Sequence, residues 1–230
     1  MTDLSAHVQV NFTGSATLRT RTNLAIHHLF AACRFASRVA LIERDNVGQP
    51  FGEFWEEILH NALAVATLTV ASIESHANEM YFEGAILAPG LNPAAAAEFA
   101  EIIDAESIVR KYSVALAFRS GKRLNPGNLP VQNADALIKL RNAIVHFRPE
   151  WSGEQDKHDK LSKILQYKFK PSPFFPNEPV FPRAWASHAF CVWSLKTAVQ
   201  FLEHFYVEVG IPSPIEQFKP QLSRLSENAL

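Results

Sequence analysis

The sequence predicts an all-α protein, a helical bundle of four to five long helices with a short N-terminal extension and a proline-rich loop before the last long helix. Apolar residues recur every three or four positions over long segments, which is the period of an amphipathic helix. The chain shows no internal repeat and no alternation of strand and helix patterns, so it favours one helical bundle over an α/β fold.

Composition narrows the classes of function. With 47% hydrophobic residues among 230, the chain can bury a substantial core in one domain. Its 22 basic and 23 acidic residues give a net charge of −1, which argues against coating long nucleic acid through bulk charge but leaves a local basic site open. Two cysteines without metal-ligand spacing predict neither a disulfide framework nor a zinc site, and no cofactor or metal is expected.

The domain organisation follows from the same patterns. We expect an N-terminal extension over residues 1–20, one helical bundle over residues 21–210, and a tail or short helix over residues 211–230. The start, MTDLSAHVQV, lacks a charged region followed by an apolar one, so no signal peptide is expected. No stretch approaches about 20 uninterrupted apolar residues, so the prediction is a cytoplasmic protein without a membrane span.

The first half of the chain contains two long helical patterns. Residues 1–20 are polar and β-leaning, and an apolar stripe then runs over residues 21–44 until DNVGQPFGE breaks it with glycine and proline. Residues 53–84, rich in alanine and leucine, form the longest predicted helix. Its polar residues Glu74, His76 and Asn78 intrude into an otherwise apolar segment.

The second half predicts further helices separated by loops. Asn92-Pro93 is a good helix start, and the pattern continues to about Phe118 with a possible bend. After a basic loop, Asn133 is a suitable cap for a helix that ends before Pro149. A short helix followed by a proline-rich loop is expected over residues 150–182, then the last long helix over residues 183–209 and a short amphipathic helix near residues 213–225.

One of these helices carries a cation in the middle of its apolar stripe. Arg141 lies in LIKLRNAIVHF, and the apolar residues three and four positions away are Leu137, Ile138, Ile144 and Val145. A buried guanidinium needs an anionic partner, because an unpaired buried charge is very costly. Glu74 is the expected partner, and truncating one member of such a buried pair should cost about 3–5 kcal/mol.

The same helix ends with a histidine. Asn142 and His146 are neighbours at i and i+4, whereas His146 lies roughly 140° around the helix from Arg141. In a structural interpretation, the Arg141–Glu74 pair fixes the helix register, and His146 caps the helix C-terminus, where a cation is favoured. In a catalytic interpretation, His146 transfers protons, Arg141 binds a phosphate and Asn142 orients the imidazole or a ribose hydroxyl. The second set suits metal-independent cleavage of RNA through the ribose 2′-hydroxyl.

The stretch LRNAIVHF resembles the motif of the HEPN superfamily, in which an arginine, a polar residue and a later histidine lie near the end of a helix in an all-helical bundle. Here these are Arg141, Asn142 and His146, with four residues between the arginine and the histidine. The upstream IESHANE is similar to the acidic helix of that family, with Glu74 in the place of its acidic residue and Asn78 as a further supporting residue. The resemblance covers roughly residues 20–210 in architecture, and the chain is longer than a minimal HEPN domain.

This resemblance implies a homodimer whose two motifs form a composite site, with Arg141, Asn142 and His146 as catalytic residues of a metal-independent endoribonuclease. Such proteins are often toxins or defence and stress effectors, and some pair with an antitoxin protein. Other members keep the bundle as a non-catalytic binding or dimerisation module, in which Arg141 would be a structural ion-pair residue. That alternative stays open, as does a helical bundle unrelated to nucleic acid.

Cations flank the motif helix in sequence and predict an RNA-binding surface. The candidates before the helix are Arg110, Lys111, Arg119, Lys122 and Arg123. The lysines after it fit a solvated face at least as well, and they are Lys157, Lys160, Lys163, Lys168 and Lys170.

Tyr112 and Trp151 suit base stacking but are interpreted as packing residues. The histidines without a partner at ligand spacing are interpreted as structural, and they are His60, His76, His188 and His204.

Overall fold

A computed structural model describes residues 22–49, 51–83, 92–151 and 156–222, and every regular element within these ranges is helical. The α-helices there are α1 (Ala25–Asn46), α2 (Phe54–Glu83), α3 (Pro93–Asp104), α4 (Ile108–Ser120), α5 (Leu129–Val145), α6 (Asp156–Leu165) and α7 (His188–Val209). A kinked turn at Val180–Ala184 precedes α7, and a 3-10 turn at Glu216–Phe218 follows it. The predicted all-α bundle is confirmed, whereas the predicted extension over residues 1–20 lies outside the described residues.

Helix α2 lies at the centre of the bundle and packs on α1, α5 and α7. Two contacts fix the direction of α1 against it. Ser72 in the C-terminal half of α2 donates to the carbonyl of Ala25 at 2.7 Å, and Arg38 donates to Glu57 near the start of α2 at 2.6 Å. The two helices are therefore antiparallel.

Helix α7 runs parallel to α2. The hydroxyls of Thr69 and Ser194 are 2.7 Å apart. About two turns further along α2 and about three turns further along α7, His76 contacts Tyr206 at 2.9 Å. The core between these helices is filled by aliphatic and aromatic side chains that are fully buried, including Ile73 and Phe201. Helices α2 and α7 thus form a parallel pair that is joined through buried polar groups. Helix α5 also packs on α2.

Local sequence explains where the helices begin and end. Asn92 caps α3 by accepting from the backbone of Ala94 at 2.9 Å, and Pro93 occupies the first position, as the sequence predicted. The bend expected before residue 118 is a full break over residues 105–107 that separates α3 from α4. Ser187 caps α7, and Gly210 ends it with a φ of 77°, a conformation that glycine adopts without strain.

Helices α1 and α2 are each long and apolar enough, by length and composition, to pass as membrane-crossing segments. Core helices of soluble proteins pass the same test. Here the two helices pack on each other and their buried residues belong to the shared core. Length and hydropathy therefore do not distinguish a core role from a membrane role for this pair.

The irregular segment after the motif helix packs on the bundle. Helix α6 confirms the predicted short helix, and Phe175 and Phe181 of the proline-rich loop are buried. The peptide between Phe181 and Pro182 is cis. The ring of Phe175 packs edge-to-face on Trp55 of α2 at 4.5 Å, so the loop is part of the core.

Candidate functional site

Helix α5 presents the candidate motif at its C-terminus. The helix begins after Asn128 with Pro130 in its first turn and ends at Val145. His146 is the capping residue, and its N–H donates to the carbonyl of Asn142 at 2.9 Å. The side chains of Asn142 and His146 are both exposed, so they are accessible to a ligand.

The expected pairing of the mid-stripe arginine is present. The guanidinium of Arg141 lies 3.3 Å from the carboxylate of Glu74, which joins α5 to α2. The expectation of deep burial was wrong, because the two side chains keep 22% and 42% of their exposure. Solvent screens such a pair, so the cost of about 3–5 kcal/mol expected for a buried pair does not apply.

The second supporting residue has a different partner. The amide oxygen of Asn78 accepts from the ammonium of Lys111 at 2.9 Å, and the same ammonium lies 3.3 Å from Asp104. Lys111 is only 2% exposed. Its charge is used within the fold, so a contact with RNA phosphate does not fit this placement.

Two of the remaining basic candidates, Lys122 and Arg123, lie far from His146. Lys122 and Arg123 are exposed in the loop before α5, whereas His146 follows its last residue. A helix of 17 residues is about 25 Å long, so these cations and the histidine stand at opposite ends of α5. Arg110 and Arg119 lie on α4, the first exposed and the second half-buried, and their RNA-binding role stays a prediction.

His146 instead lines a cleft of about 330 Å³ between the C-terminal half of α5 and α6. The floor of the cleft is apolar, and cations surround it. The apolar residues are Ala143, Leu161, Ile164 and Phe181, and the cations are Lys139, Arg148, Lys157 and Lys160. This cleft collects positive charge in a chain whose net charge is −1.

Arg141 and His146 face different sides of α5. Lys139, Ala143 and His146 line the cleft and are spaced at i, i+4 and i+7, which places them on one helix face. Arg141 is about 200° around the helix from Lys139 and points to α2. In one chain, therefore, the structure brings Arg141 to Glu74 and His146 to the cleft, but does not bring both to one point.

A second histidine holds the chain after the motif against α6. The Nε2–H of His158 donates to the carbonyl of Arg148 at 3.1 Å, and its ring stacks on Phe147 with centroids 5.6 Å apart. The carboxylate of Glu150 accepts from the backbone N–H of His158 at 3.3 Å in the first turn of α6. These contacts fix the position of Arg148 beside His146.

Sequence analysis missed Glu150 and His158, although the pattern of α6 contains a pointer to the histidine. His158, Leu161 and Leu165 are buried at i, i+3 and i+7, which is the spacing of a stripe that faces the core. The contact with residues 147–150 is not readable from this stripe, because it depends on how the chain returns after α5.

The two candidate stacking residues differ in exposure. Tyr112 is fully buried and confirms its interpretation as a packing residue. Trp151 is 84% exposed, so its interpretation as a packing residue was wrong. Phe147 is 49% exposed and Val145 is 53% exposed, so apolar surface continues from the end of α5 to the tryptophan.

His76 confirms its structural interpretation. The hydroxyl of Tyr112 donates to the carbonyl of Ile73 at 2.7 Å and is 2.9 Å from Nδ1 of His76, which therefore carries the proton. Nε2 then accepts from the hydroxyl of Tyr206 at 2.9 Å. Burial lowers the pKa of His76 to about 4, so this imidazole is neutral near pH 7.

Among the described residues, no group of three or more histidine, cysteine or carboxylate side chains is arranged to hold a metal ion. Cys33 and Cys191 are buried free thiols, and burial raises the pKa of Cys33 to about 11. The described side chains that line the cleft are the imidazoles of His146 and His158, the carboxylate of Glu150, and guanidinium and ammonium groups beside apolar residues.

Comparison with family models, with curated proteins and with solved structures finds no significant match to this chain. The fold and the cleft define an all-helical protein with two histidines, one carboxylate and four cations among the described residues at the junction of α5 and α6.

Proposed function

We propose that the chain is a HEPN-type, metal-independent endoribonuclease that acts as a toxin, defence or stress effector. The observation that carries this proposal is the position of His146, exposed at the end of α5 in a cation-lined cleft. The Glu74–Arg141 contact between α2 and α5 supports it, because the resemblance of LRNAIVHF and IESHANE to that superfamily requires these helices to meet.

The reaction that suits these groups is attack of the ribose 2′-oxygen on the adjacent phosphorus. The P–O5′ bond breaks, and the products are a 2′,3′-cyclic phosphate and a 5′-hydroxyl. His146 accepts the 2′-hydroxyl proton while water protonates the leaving 5′-oxygen, or water accepts the first proton while a protonated His146 donates the second, because an imidazole can fill either role. Cations around it stabilise the charge that develops on the phosphoryl oxygens.

Arg141 and Asn142 belong to this proposal as members of a composite site. Because Arg141 faces away from the cleft of its own chain, a site that uses both Arg141 and His146 draws on two protomers of a homodimer. The apolar surface formed by Val145, Phe147 and Trp151 lies at the same end of α5 and suits contact with a second copy. An antitoxin protein and a cytoplasmic location remain parts of the proposal.

The test uses mixed-sequence single-stranded RNA incubated with purified protein in EDTA. Wild type is expected to cleave it, and His146→Ala should lower the rate by at least about a hundred-fold, the usual scale for a general acid or base. Arg141→Ala and Asn142→Ala should also lower it. His60→Ala is the matched control, because His60 is an exposed histidine on α2 that does not line the cleft.

Two results would contradict the proposal. One is that the dimeric wild type leaves the RNA intact. The other is that His146→Ala cleaves as fast as His60→Ala, which would assign the activity to a contaminant or another site. Circular dichroism of each variant shows whether it is folded, and sedimentation velocity gives the oligomeric state.

A second candidate function is a non-catalytic HEPN-like binding or dimerisation module, in which Arg141 is a structural ion-pair residue. The exposed Trp151 and Phe147 favour it, because a large exposed aromatic on a soluble surface commonly marks a contact site. In that case RNA stays intact while Trp151→Ser shifts the dimer to monomer in sedimentation velocity.

A further inference from the structure

We propose that the cleft between α5 and α6 binds a nucleotide of single-stranded RNA, with Arg148, Lys157 and Lys160 on its phosphates. Arg148, rather than Arg141 of the same chain, is then the arginine beside His146. This inference rests on the proposed function for its choice of ligand and adds the residues that hold the phosphate.

Three of the four cations that line the cleft are available to bind a ligand. Lys139 is engaged by Asp135 at 2.6 Å, one turn earlier on α5. Among the described residues, no carboxylate lies within ion-pair distance of Arg148, Lys157 or Lys160. All three side chains are exposed at the edge of the cleft. Successive phosphodiester groups of one strand, each with one negative charge, would pair with them without displacing an existing partner.

Among the described residues, Glu150 is the carboxylate that lines the cleft, and it faces another group. Glu150 is bound to the backbone of His158 at 3.3 Å and approaches its imidazole at 3.9 Å. The side chain of His158 is 7% exposed, and its Nδ1 has no hydrogen-bond partner among the described residues. The carboxylate of Glu150 is thus turned toward α6, whereas the side chains of Arg148, Lys157 and Lys160 are exposed.

The shape of the cleft fits a nucleotide better than an acidic peptide. Buried apolar side chains, including Leu161 and Phe181, line it together with exposed cations. The exposed ring of Trp151 directly follows Glu150 in the chain. Cationic grooves with an apolar floor and exposed aromatic rings are typical of surfaces that bind single-stranded nucleic acid, because phosphates meet the cations and bases stack.

Helix α6 provides its own control. Lys157 and Lys160 line the cleft, whereas Lys163, one turn on, lines a separate groove with Tyr167 and Lys170. The three lysines share one helix, one charge and an exposed position. A surface that attracts RNA only through general charge would respond equally to the loss of any of them.

The probe is a fluorescein-labelled 2′-O-methyl RNA about ten nucleotides long, which has no 2′-hydroxyl to attack, and binding is followed by fluorescence anisotropy. Each of Arg148→Ala, Lys157→Ala and Lys160→Ala should weaken binding about five-fold at roughly 0.1 M salt, because each phosphate contact scales with salt to the power of about −0.7. Each should also reduce the salt slope by about 0.7. Lys163→Ala should keep the wild-type slope.

Equal effects of Lys157→Ala and Lys163→Ala on affinity and slope would overturn the inference, as would a wild type that does not bind the probe. Poly-glutamate that displaces the RNA as effectively as unlabelled RNA would also overturn it, in favour of an acidic protein ligand. Cleavage is read separately with unmodified RNA. Loss of binding in the cleft variants without cleavage by wild type would refute only the ribonuclease, whereas cleavage with unaffected binding would refute only this cleft.

Discussion

We predict that the ion pair between Glu74 and Arg141 contributes little to the free energy of unfolding, although Arg141 lies in an apolar stripe. The perturbation is a double-mutant cycle of Glu74→Gln and Arg141→Met, in which methionine keeps much of the apolar stem of the arginine. Two unit charges 3.3 Å apart gain roughly 1.3 kcal/mol in a medium with the dielectric constant of water. The entropy lost in holding two long side chains reduces this, so we expect a coupling of about 0.5–1 kcal/mol.

A further term lowers the cost of replacing Arg141. Its Nε is buried and has no hydrogen-bond partner among the described residues. An unsatisfied buried donor costs about 1–3 kcal/mol, and methionine removes it. The free energy of unfolding of Arg141→Met should therefore differ from that of wild type by no more than about 1 kcal/mol, within a total of roughly 5–15 kcal/mol for a domain.

The assay is urea unfolding followed by circular dichroism at pH 7 on wild type, both single variants and the double variant. The coupling should shrink toward zero at about 1 M salt, where the screening length is about 3 Å. A second cycle on Arg38 and Glu57, which are also exposed, should show the same loss of coupling in salt. A Glu74–Arg141 coupling of about 3 kcal/mol or more, insensitive to salt, would refute this reasoning and restore the buried pair.

Two further predictions concern buried groups that the proposed reaction does not use. The pKa of His76 is lowered to about 4 from 6.5, so the unfolded chain binds its proton first as the pH falls and stability is lost between about pH 6.5 and pH 4, by roughly 3 kcal/mol. In urea unfolding, His76→Phe should lack this part of the pH dependence, and an unchanged profile would contradict the assignment. Cys33 and Cys191 should react with Ellman's reagent only as fast as the protein unfolds, because both thiols are buried and their pKa values are raised. Rapid labelling of either thiol in the folded protein would disprove this placement.

The start of α5 shows how far local sequence rules reach. The sequence predicted Asn133 as the cap, but the helix begins at Leu129 after Asn128. Proline is tolerated in the first turn, where its missing N–H has no helical acceptor, so Pro130 could begin the helix rather than end the loop. Asn133 instead accepts from Lys168 at 2.8 Å, a contact that needs the chain to return from α6.

The pairing of Arg141 shows that helical spacing predicts the side of a helix on which a residue lies but not how deeply that residue is buried. Helical spacing placed the guanidinium on the apolar side of α5, and the need for a counter-ion selected Glu74 as the partner. Residue spacing does not show how much of the apolar stripe of α5 is covered by the neighbouring helices. The pair lies where α2 and α5 leave it open to solvent, so the partner was predicted correctly and the burial was not.

The sequence alone determined the helical class, the Asn92 cap of α3, the arginine that needs an acidic partner and the histidine at a helix end. These follow from periodicity and from the chemistry of single side chains, which act within a few residues. Only the tertiary structure decided which groups meet across distant segments. It turned Lys111 inward to Asn78 and brought Lys157 and Lys160 of α6 to His146 of α5. Such contacts depend on how whole helices pack, and no local pattern encodes that arrangement.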